Sequence, residues 1–532
     1  MKQYYSKEVI KHFKNPKNIG KIKKPSGRGQ AGNILCGDIM TLYLKVGENK
    51  KKEKIIKDVK FETLGCLPPE EEILINEGDW KEISSIEKGM YVLNGSGEKT
   101  QVAETFIRRY RGAILTIIPF VSPFNKFTVT PEHPILSIKR RWLKSARNSS
   151  KICEWLRVKE EELLSKRPKY IEAQYLNKSD YLVSVPNKKV KDSPVFTKEM
   201  MGLLGYYLSE GYGMSNGVLA FAFDKNSKNK QEKRNISELK SLLFKITNKK
   251  PKERIRRTVK EIYICSRKWV NFFVSIAGKL APKKKLFDEI LLLPFEKQWE
   301  MIKTYIKGDG SQSKRRPTDF PIYRISTTSK QLAIQTQEIL LRGNIFASIK
   351  KYTNLKSRNY IEGRKVNVKP FYEISFKIKR NHKFIHFNGK YFLVPIRKIE
   401  KRNYQGYVCN LQVKGKPNSY LVKGFAVHNC VVAIANTSLL TTIVKGKKLE
   451  DVLKIKKDDL IKRLGQSLPP SKIHCSVLAI DALKEAIYNY YLKNKLEISE
   501  ELEKEHQRIT KTKEELEKKY KGFQASEKEI LK

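Results

Sequence analysis

Apolar positions along the chain change their spacing several times. A short three-to-four-residue spacing near the start gives way to a turn-rich stretch, NPKNIGKIKKPSGRGQAGN, and then to strand-like alternation in TLYLKV and VKFETL. This opening, residues 1–65, holds strands and little helix, which is too little interior for a stable domain. Helical spacing returns beyond Cys430, in CVVAIANTSLLTTIVKGKKLEDVLKI, DDLIKRLG and SVLAIDALKEAIYNYYL. The two ends complement each other. Between them, strand patterns run from Cys66 to about Pro186, ending in YLVSVP, and resume near Tyr391, whereas the middle, about 195–390, has a different pattern.

The pattern predicts a multidomain chain. Residues 1–65 and 430–494 form the two parts of an α+β domain, 66–190 and 391–429 the two parts of an all-β domain, and 195–390 an inserted α/β domain. Residues 495–532 form a charged helical tail with sparse apolar positions, expected to stand in solvent. The formal charge of +52 favours an anionic polymer such as nucleic acid, although a generally lysine-rich proteome explains the bulk excess equally well. Residues 66–429 carry 71 Lys and Arg against 34 Asp and Glu, a balance suited to phosphate contact. No apolar run fits a signal peptide or a bilayer span, so a cytoplasmic protein without a membrane partner is expected. Seven scattered cysteines make no disulfide framework.

Joining Gly65 directly to Cys430 gives FETLGCVVAIANTSLLTTIVKGK. With YYSKEVIKHFKNPKNIG near the start, NILCGD around Cys36 and Asp38, and SLPPSKIHCSVLA around Cys475, the joined text resembles the IscU/NifU scaffold family. The resemblance implies an iron–sulfur site of Cys36, Asp38, Cys430 and Cys475, with His474 as a secondary candidate, carrying a 2Fe-2S cluster. Thiolates suit iron and sulfide, one carboxylate makes the site labile, and the same ligands can hold zinc instead. A cysteine desulfurase or other sulfur donor and apo-protein recipients are the implied partners. The segment Leu468 to Lys472 matches the family's chaperone-docking motif except at Ser471, and otherwise reads as a Pro-Pro turn.

The insertion begins with Cys66 and ends in His428-Asn429, just before the nucleophile Cys430, and FTVTPEHPIL places Thr130 and His133 in T-x-x-H spacing on a strand. These edges and the closing block GYVCNLQVKGKPNSYLVKGFAVHN resemble the intein family, implying a horseshoe-like Hint domain that splices without a cofactor. Cys66, Thr130, His133, His428, Asn429 and Cys430 are the implied catalytic residues, with His133 serving the first peptide bond and His428 assisting Asn429 cyclisation. Asn410 stands where an Asp is frequent and Asn418 where a second His is frequent; since Asn cannot relay a proton, coupling of the steps is expected either to be slower or to rely on other groups. Cys409 reads as a core thiol beside the splice block, Cys153 and Cys265 as ordinary cysteines.

GLLGYYLSEGYG and WEMIKTYIKGDGSQS each end an apolar helix in an acid, Glu210 and Asp309. The pair resembles LAGLIDADG homing endonucleases, which implies two helices packed through small residues, here Gly202, Gly205 and Gly308, and the two acids sharing magnesium over double-stranded DNA. Stretches such as RIRRTVKEIYICSRKWV and KSRNYIEGRKVNVKPFYEISFKIKR suit the major groove. Rival readings are a DNA-binding nuclease with incidental flanks, a hedgehog-like autoprocessing protein, and a splicing-defective or nuclease-dead remnant. The first leaves the complementary flanks unexplained, and the second leaves Asn429-Cys430 unexplained.

Overall fold

The computed structural model describes residues 6–18, 20–32, 39–62, 65–75, 79–144, 158–225, 230–256, 259–314, 317, 319–353, 360–361, 364–365, 370–378, 384–414, 418–428, 431–464 and 474–519. Cys36, Asp38, Cys153, Asn429, Cys430 and the segment Leu468 to Lys472 lie outside them. His474 and Cys475 open the helix His474–Lys493, and their side chains are likewise outside the description.

The two ends of the chain share one hydrophobic core. Met40, Leu42, Val59 and Phe61 from the first end pack with Ile434, Leu440, Leu483 and Ile487 from the second. The strands Gly27–Gly32, Ile39–Glu48 and Lys54–Glu62 form an antiparallel sheet in that order, and the helix His474–Lys493 lies across it. The approach is so close that a Cβ at Gly29 would sit 2.1 Å from the Ala482 carbonyl oxygen and 2.2 Å from the Ala486 nitrogen. Polar bonds also tie the ends: His12 Nδ1 meets Ser438 Oγ at 2.9 Å, and Gly446 donates its N–H to the Ile56 carbonyl at 2.8 Å. The tail helix Glu500–Lys519 does not stand in solvent. It buries Leu502 and Ile509, stacks His506 on Tyr488 at 3.8 Å, and pairs Arg508 with Asp481 at 2.6 Å. Leu502 and Ile509, seven residues apart, lie on one helical face and meet a helix whose own acids complement the tail's bases.

Residues on either side of the middle domain also share one sheet. The strand Lys99–Pro119 runs antiparallel to Phe392–Val413 along nearly its whole length, with Tyr110 opposite Gly406. The sheet continues through Tyr181–Ser184, Phe425–His428, Ser419–Val422 and Glu72–Ile75. The short strand His386–Phe387, assigned from sequence to the middle domain, pairs with Phe392–Val413 and so belongs to this sheet. A short helix, Glu160–Ser165, interrupts the otherwise β architecture.

The middle region repeats one unit. The helix Lys198–Ser209 leads into a four-stranded sheet ordered Gly211–Gly213, Val218–Asp224, Val259–Cys265, Lys252–Arg256; the helix Phe295–Asp309 leads into Gly310–Ser313, Ile322–Thr327, Phe371–Phe376, Ser348–Tyr352. Both sheets are antiparallel throughout, so this region is a repeated helix-and-hairpin unit and not a parallel α/β fold.

Gly29→Ala tests the shared core of the two ends. The added methyl meets backbone of the opposite end, so the substitution should cost about 1–3 kcal/mol and speed hydrogen exchange in both Gly27–Gly32 and His474–Lys493. Unchanged exchange in the helix would contradict the packing.

Candidate functional site

Chemistry gathers at two places. The first lies where the all-β region begins. Cys66 and Leu67 enter the sheet edge beside Cys409: Leu67 and Cys409 exchange backbone hydrogen bonds at 2.9 and 2.7 Å. The Gly65–Cys66 peptide is held on both sides. Its N–H donates to Thr130 Oγ1 at 2.9 Å, and its carbonyl oxygen accepts from Asn410 Nδ2 at 3.1 Å. Thr130 N–H in turn donates to the Cys66 carbonyl at 2.9 Å. A side chain at position 65 has no room, since a Cβ there would lie 2.4 Å from Thr130 Oγ1 and 2.5 Å from His133 N.

Thr130 and His133 lie in a tight turn between the strands Phe127–Val129 and Pro134–Ile138, not on a strand as the sequence suggests. The His133 N–H closes that turn on the Thr130 carbonyl at 3.0 Å. Pro131 follows the strand Phe127–Val129 and Pro134 opens the strand Pro134–Ile138, so the two prolines bracket the turn. His133 is fully buried, and neither ring nitrogen has a well-aligned hydrogen-bond partner among the described residues. Burial pushes its pKa down to about 3, the Gly65 carbonyl beside it works against that shift, and His428 adds to it. The ring is therefore neutral near pH 7. His428 ends the strand Phe425–His428, buried, with the Tyr170 ring edge-on at 4.9 Å.

Thus Cys66, Thr130, His133 and His428 come together, while Asn429 and Cys430 follow His428 outside the described residues. Cys409 is buried next to Cys66, and burial pushes its thiol up to about 12, so it stays protonated. Asn410, read from sequence only as standing where an Asp is frequent, contacts the carbonyl of the Gly65–Cys66 peptide. Tyr420, fully buried, donates its hydroxyl to Asn410 Oδ1 at 3.0 Å; neither this contact nor that of Tyr170 is marked by any sequence motif. Asn418 lies just before the strand Ser419–Val422.

The second place is the end of the two repeated helices. Lys198–Ser209 packs along Phe295–Asp309, and a Cβ at Gly205 would sit 2.0 Å from Thr304 Oγ1 and 2.2 Å from the Met301 carbonyl oxygen. Gly308 is equally constrained by Ser209 Oγ at 2.1 Å, whereas Gly202 has ordinary room, 3.5 Å to Leu242, and does not require glycine. Glu210 and Asp309 end these helices side by side. Burial, then the charge of Asp309, pushes Glu210 up to about 7; desolvation by the atoms packed around it pushes Asp309 up to about 6 against the pull of the Lys284 charge, although part of the residue reaches solvent. The charge of Lys284, which the sequence hides in the run PKKKL, acts on both. Its buried ammonium donates to the carbonyls of Tyr207, Leu208 and Gly211 at 2.7, 2.8 and 3.0 Å, and burial lowers its pKa to about 8. Two crowded carboxylates facing one cation form a hard-oxygen set that fits a divalent ion such as magnesium. The basic hairpin Lys252–Arg256 and Val259–Cys265 belongs to the sheet below the first helix, while most of KSRNYIEGRKVNVK lies outside the described residues.

Comparison with known proteins places names on two parts of the chain. Residues 4–68 and 406–497 match the NifU-like N terminal domain, and residues 296–378 match the LAGLIDADG-like domain. The chain is 32% identical over 391 residues to an iron-sulfur cluster assembly SufBD family protein of Mycobacterium tuberculosis, covering 71% of this chain and 44% of that protein. It is 26% identical over 432 residues to the ATP-dependent DNA helicase Hel308 of Thermococcus kodakarensis, covering 72% of this chain and 37% of the helicase. It is 50% identical over 62 residues to the iron-sulfur cluster assembly scaffold protein IscU 1 of Archaeoglobus fulgidus, 12% of this chain and 37% of that protein. The chain thus spans less than half the length of each of these relatives. Among solved structures, the homing endonuclease I-DmoI aligns with 36% of this chain and 94% of its own, at 16% identity and a TM-score of 0.25. The chain carries a NifU-like domain split around a LAGLIDADG-like domain. No helix among the described residues is long and apolar enough to cross a membrane.

The raised carboxyls set the sign of a pH test. Held above its ordinary value of 4.5, Glu210 contributes stability to the metal-free fold below that value and loses it as pH rises through about 7. Magnesium competes with those protons, so its affinity by calorimetry should rise from about pH 6 to about pH 8 and vanish in the Glu210→Gln, Asp309→Asn double variant. An affinity flat across that range would contradict the shared site.

Proposed function

We propose that, in a chain whose NifU-like domain is split around a LAGLIDADG-like domain, residues 66–429 excise themselves by protein splicing and join Gly65 to Cys430. The product is a cytoplasmic scaffold that assembles and transfers iron–sulfur clusters, and the excised segment is a site-specific DNA endonuclease. The observation that carries the splicing reading is the Gly65–Cys66 peptide itself: Thr130 binds its N–H, Asn410 binds its carbonyl oxygen, and buried His133 lies against it.

In the first step Cys66 Sγ attacks the Gly65 carbonyl carbon and the carbon–nitrogen bond breaks, leaving a thioester. The thiol proton passes to neutral His133 and then to the departing Cys66 nitrogen, so no proton is gained or lost overall. Cys430 Sγ takes the acyl group and returns the thiol to Cys66. Asn429 then closes on its own carbonyl carbon as a succinimide, freeing the Cys430 amine, with His428 beside the reacting group. That amine displaces its own sulfur, and the Gly65–Cys430 peptide bond forms. Each bond broken is matched by one formed, so no external energy source is needed.

The relatives support an insertion independent of its host. The stretches shared with an iron-sulfur assembly protein and with a helicase are more than twice as long as residues 1–65 and 430–532 together, so most of each lies within residues 66–429. In the scaffold, Cys36, Asp38, Cys430 and Cys475, with His474 adjacent, would receive a 2Fe-2S cluster as cargo, or zinc in its place. A cysteine desulfurase and apo-protein recipients are its partners. In the endonuclease, Glu210 and Asp309 would hold magnesium, which when bound supplies Lewis-acid charge and an activated water. The protein's own part is to bring one acid from each repeat to one point, with Gly205 and Gly308 allowing the approach and Lys284 balancing the charge.

His133→Ala should slow thiol-induced release of residues 1–65 by about 10²–10⁴-fold when measured in the Asn429→Ala background, where cyclisation is blocked. Release at an undiminished rate would remove His133 from the first step. The excised segment with magnesium should cut duplex DNA spanning the uninterrupted host junction, and Glu210→Gln should not; cutting by that variant would contradict the metal assignment.

A further inference from the structure

We infer that Asn410 is a catalytic residue of the first splicing step, donating to the oxygen on which negative charge develops when Cys66 attacks Gly65. The inference rests on the splicing reading and adds to it a role for the position where the family resemblance expects a proton-handling Asp. Its basis is orientation. An amide can present either end to a neighbour, and here the end is fixed. Oδ1 accepts from the Leu411 N–H at 2.8 Å, a group that can only donate, and from Tyr420 Oη at 3.0 Å. Nδ2 therefore faces the Gly65 carbonyl oxygen at 3.1 Å, a group that can only accept.

The surroundings hold that orientation. Asn410 and Tyr420 are buried, and the strand Phe392–Val413 is locked on its neighbour through the pair Asn410–Phe106. Thr130 fixes the other side of the same peptide. The carbonyl thus meets a preoriented donor in a water-poor site, the arrangement that stabilises an oxyanion most. When Sγ adds to the carbon, the oxygen gains the charge that Nδ2–H meets; when the carbon–nitrogen bond breaks, the charge returns to the carbonyl, and Asn410 exchanges no proton. An ionised Asp at this position would place like charge against that oxygen. Asn therefore trades proton transfer for a donor whose protonation never changes, and the proton falls to His133.

Tyr420 is a positioning residue, acting through the amide it orients.

The test measures two reactions in the full-length chain. In the Asn429→Ala background, dithiothreitol releases residues 1–65 through the thioester. In the Cys66→Ala background, succinimide formation at Asn429 reports the opposite end of the same fold. Asn410→Ala should slow the first reaction by about 10²–10³-fold and leave the second within about threefold. The isosteric Asn410→Asp should release residues 1–65 progressively more slowly as pH rises through the titration of the new carboxyl, a limb the Asn chain lacks. Tyr420→Phe should slow the same reaction by about tenfold, the loss of one orienting hydrogen bond. Equal losses in both reactions, or an Asn410→Ala chain that matches Asn410 in the first, would overturn the assignment. If the Asn429→Ala chain with Asn410 intact releases nothing to thiol, the splicing reading fails and this inference with it.

Discussion

The pairing of Lys99–Pro119 with Phe392–Val413 is the constraint on which the rest depends. It joins segments nearly three hundred residues apart, and the cost of closing so long a loop grows only slowly with its length. That weak dependence lets a complete domain occupy the gap without opening the sheet. Cys409 and Asn410 lie near the end of this pairing, and through it they reach Leu67 and Gly65. A slip of one residue would turn Asn410 to the other face and leave the Gly65 carbonyl without its donor.

The same logic is nested outward. The host core closes only when helices after residue 430 cover strands before residue 65, and glycines at 27 and 29 let that happen. Three regions therefore sit inside one another in sequence, the first interrupted by the second and the second by the third. For the outermost domain, Gly65 and Cys430 are the two residues that splicing would join.

Much of this is legible in sequence because the signals are local. Helical spacing after Cys430, alternation before Gly65, and an acid after each of two apolar helices need no knowledge of partners. What escaped depends on contacts across the fold. Lys284 looks like one lysine of a basic run until three carbonyls close around it. Asn410 reads as a lost proton carrier, and only the Gly65 carbonyl opposite it reveals a donor. The tail reads as solvated because Leu502 and Ile509 are few, yet a ready-made acidic and aromatic face receives it. His386–Phe387 is too short for any periodicity to assign.

The most direct test of excision is the peptide across the join. Tryptic digestion of freshly expressed protein should yield FETLGCVVAIANTSLLTTIVK, a sequence that exists only if Gly65 has been bonded to Cys430, and the Cys66→Ala, Asn429→Ala double variant should not yield it. A protein that keeps Gly65 bonded to Cys66, under reducing conditions and across temperatures at which it stays folded, would contradict the account.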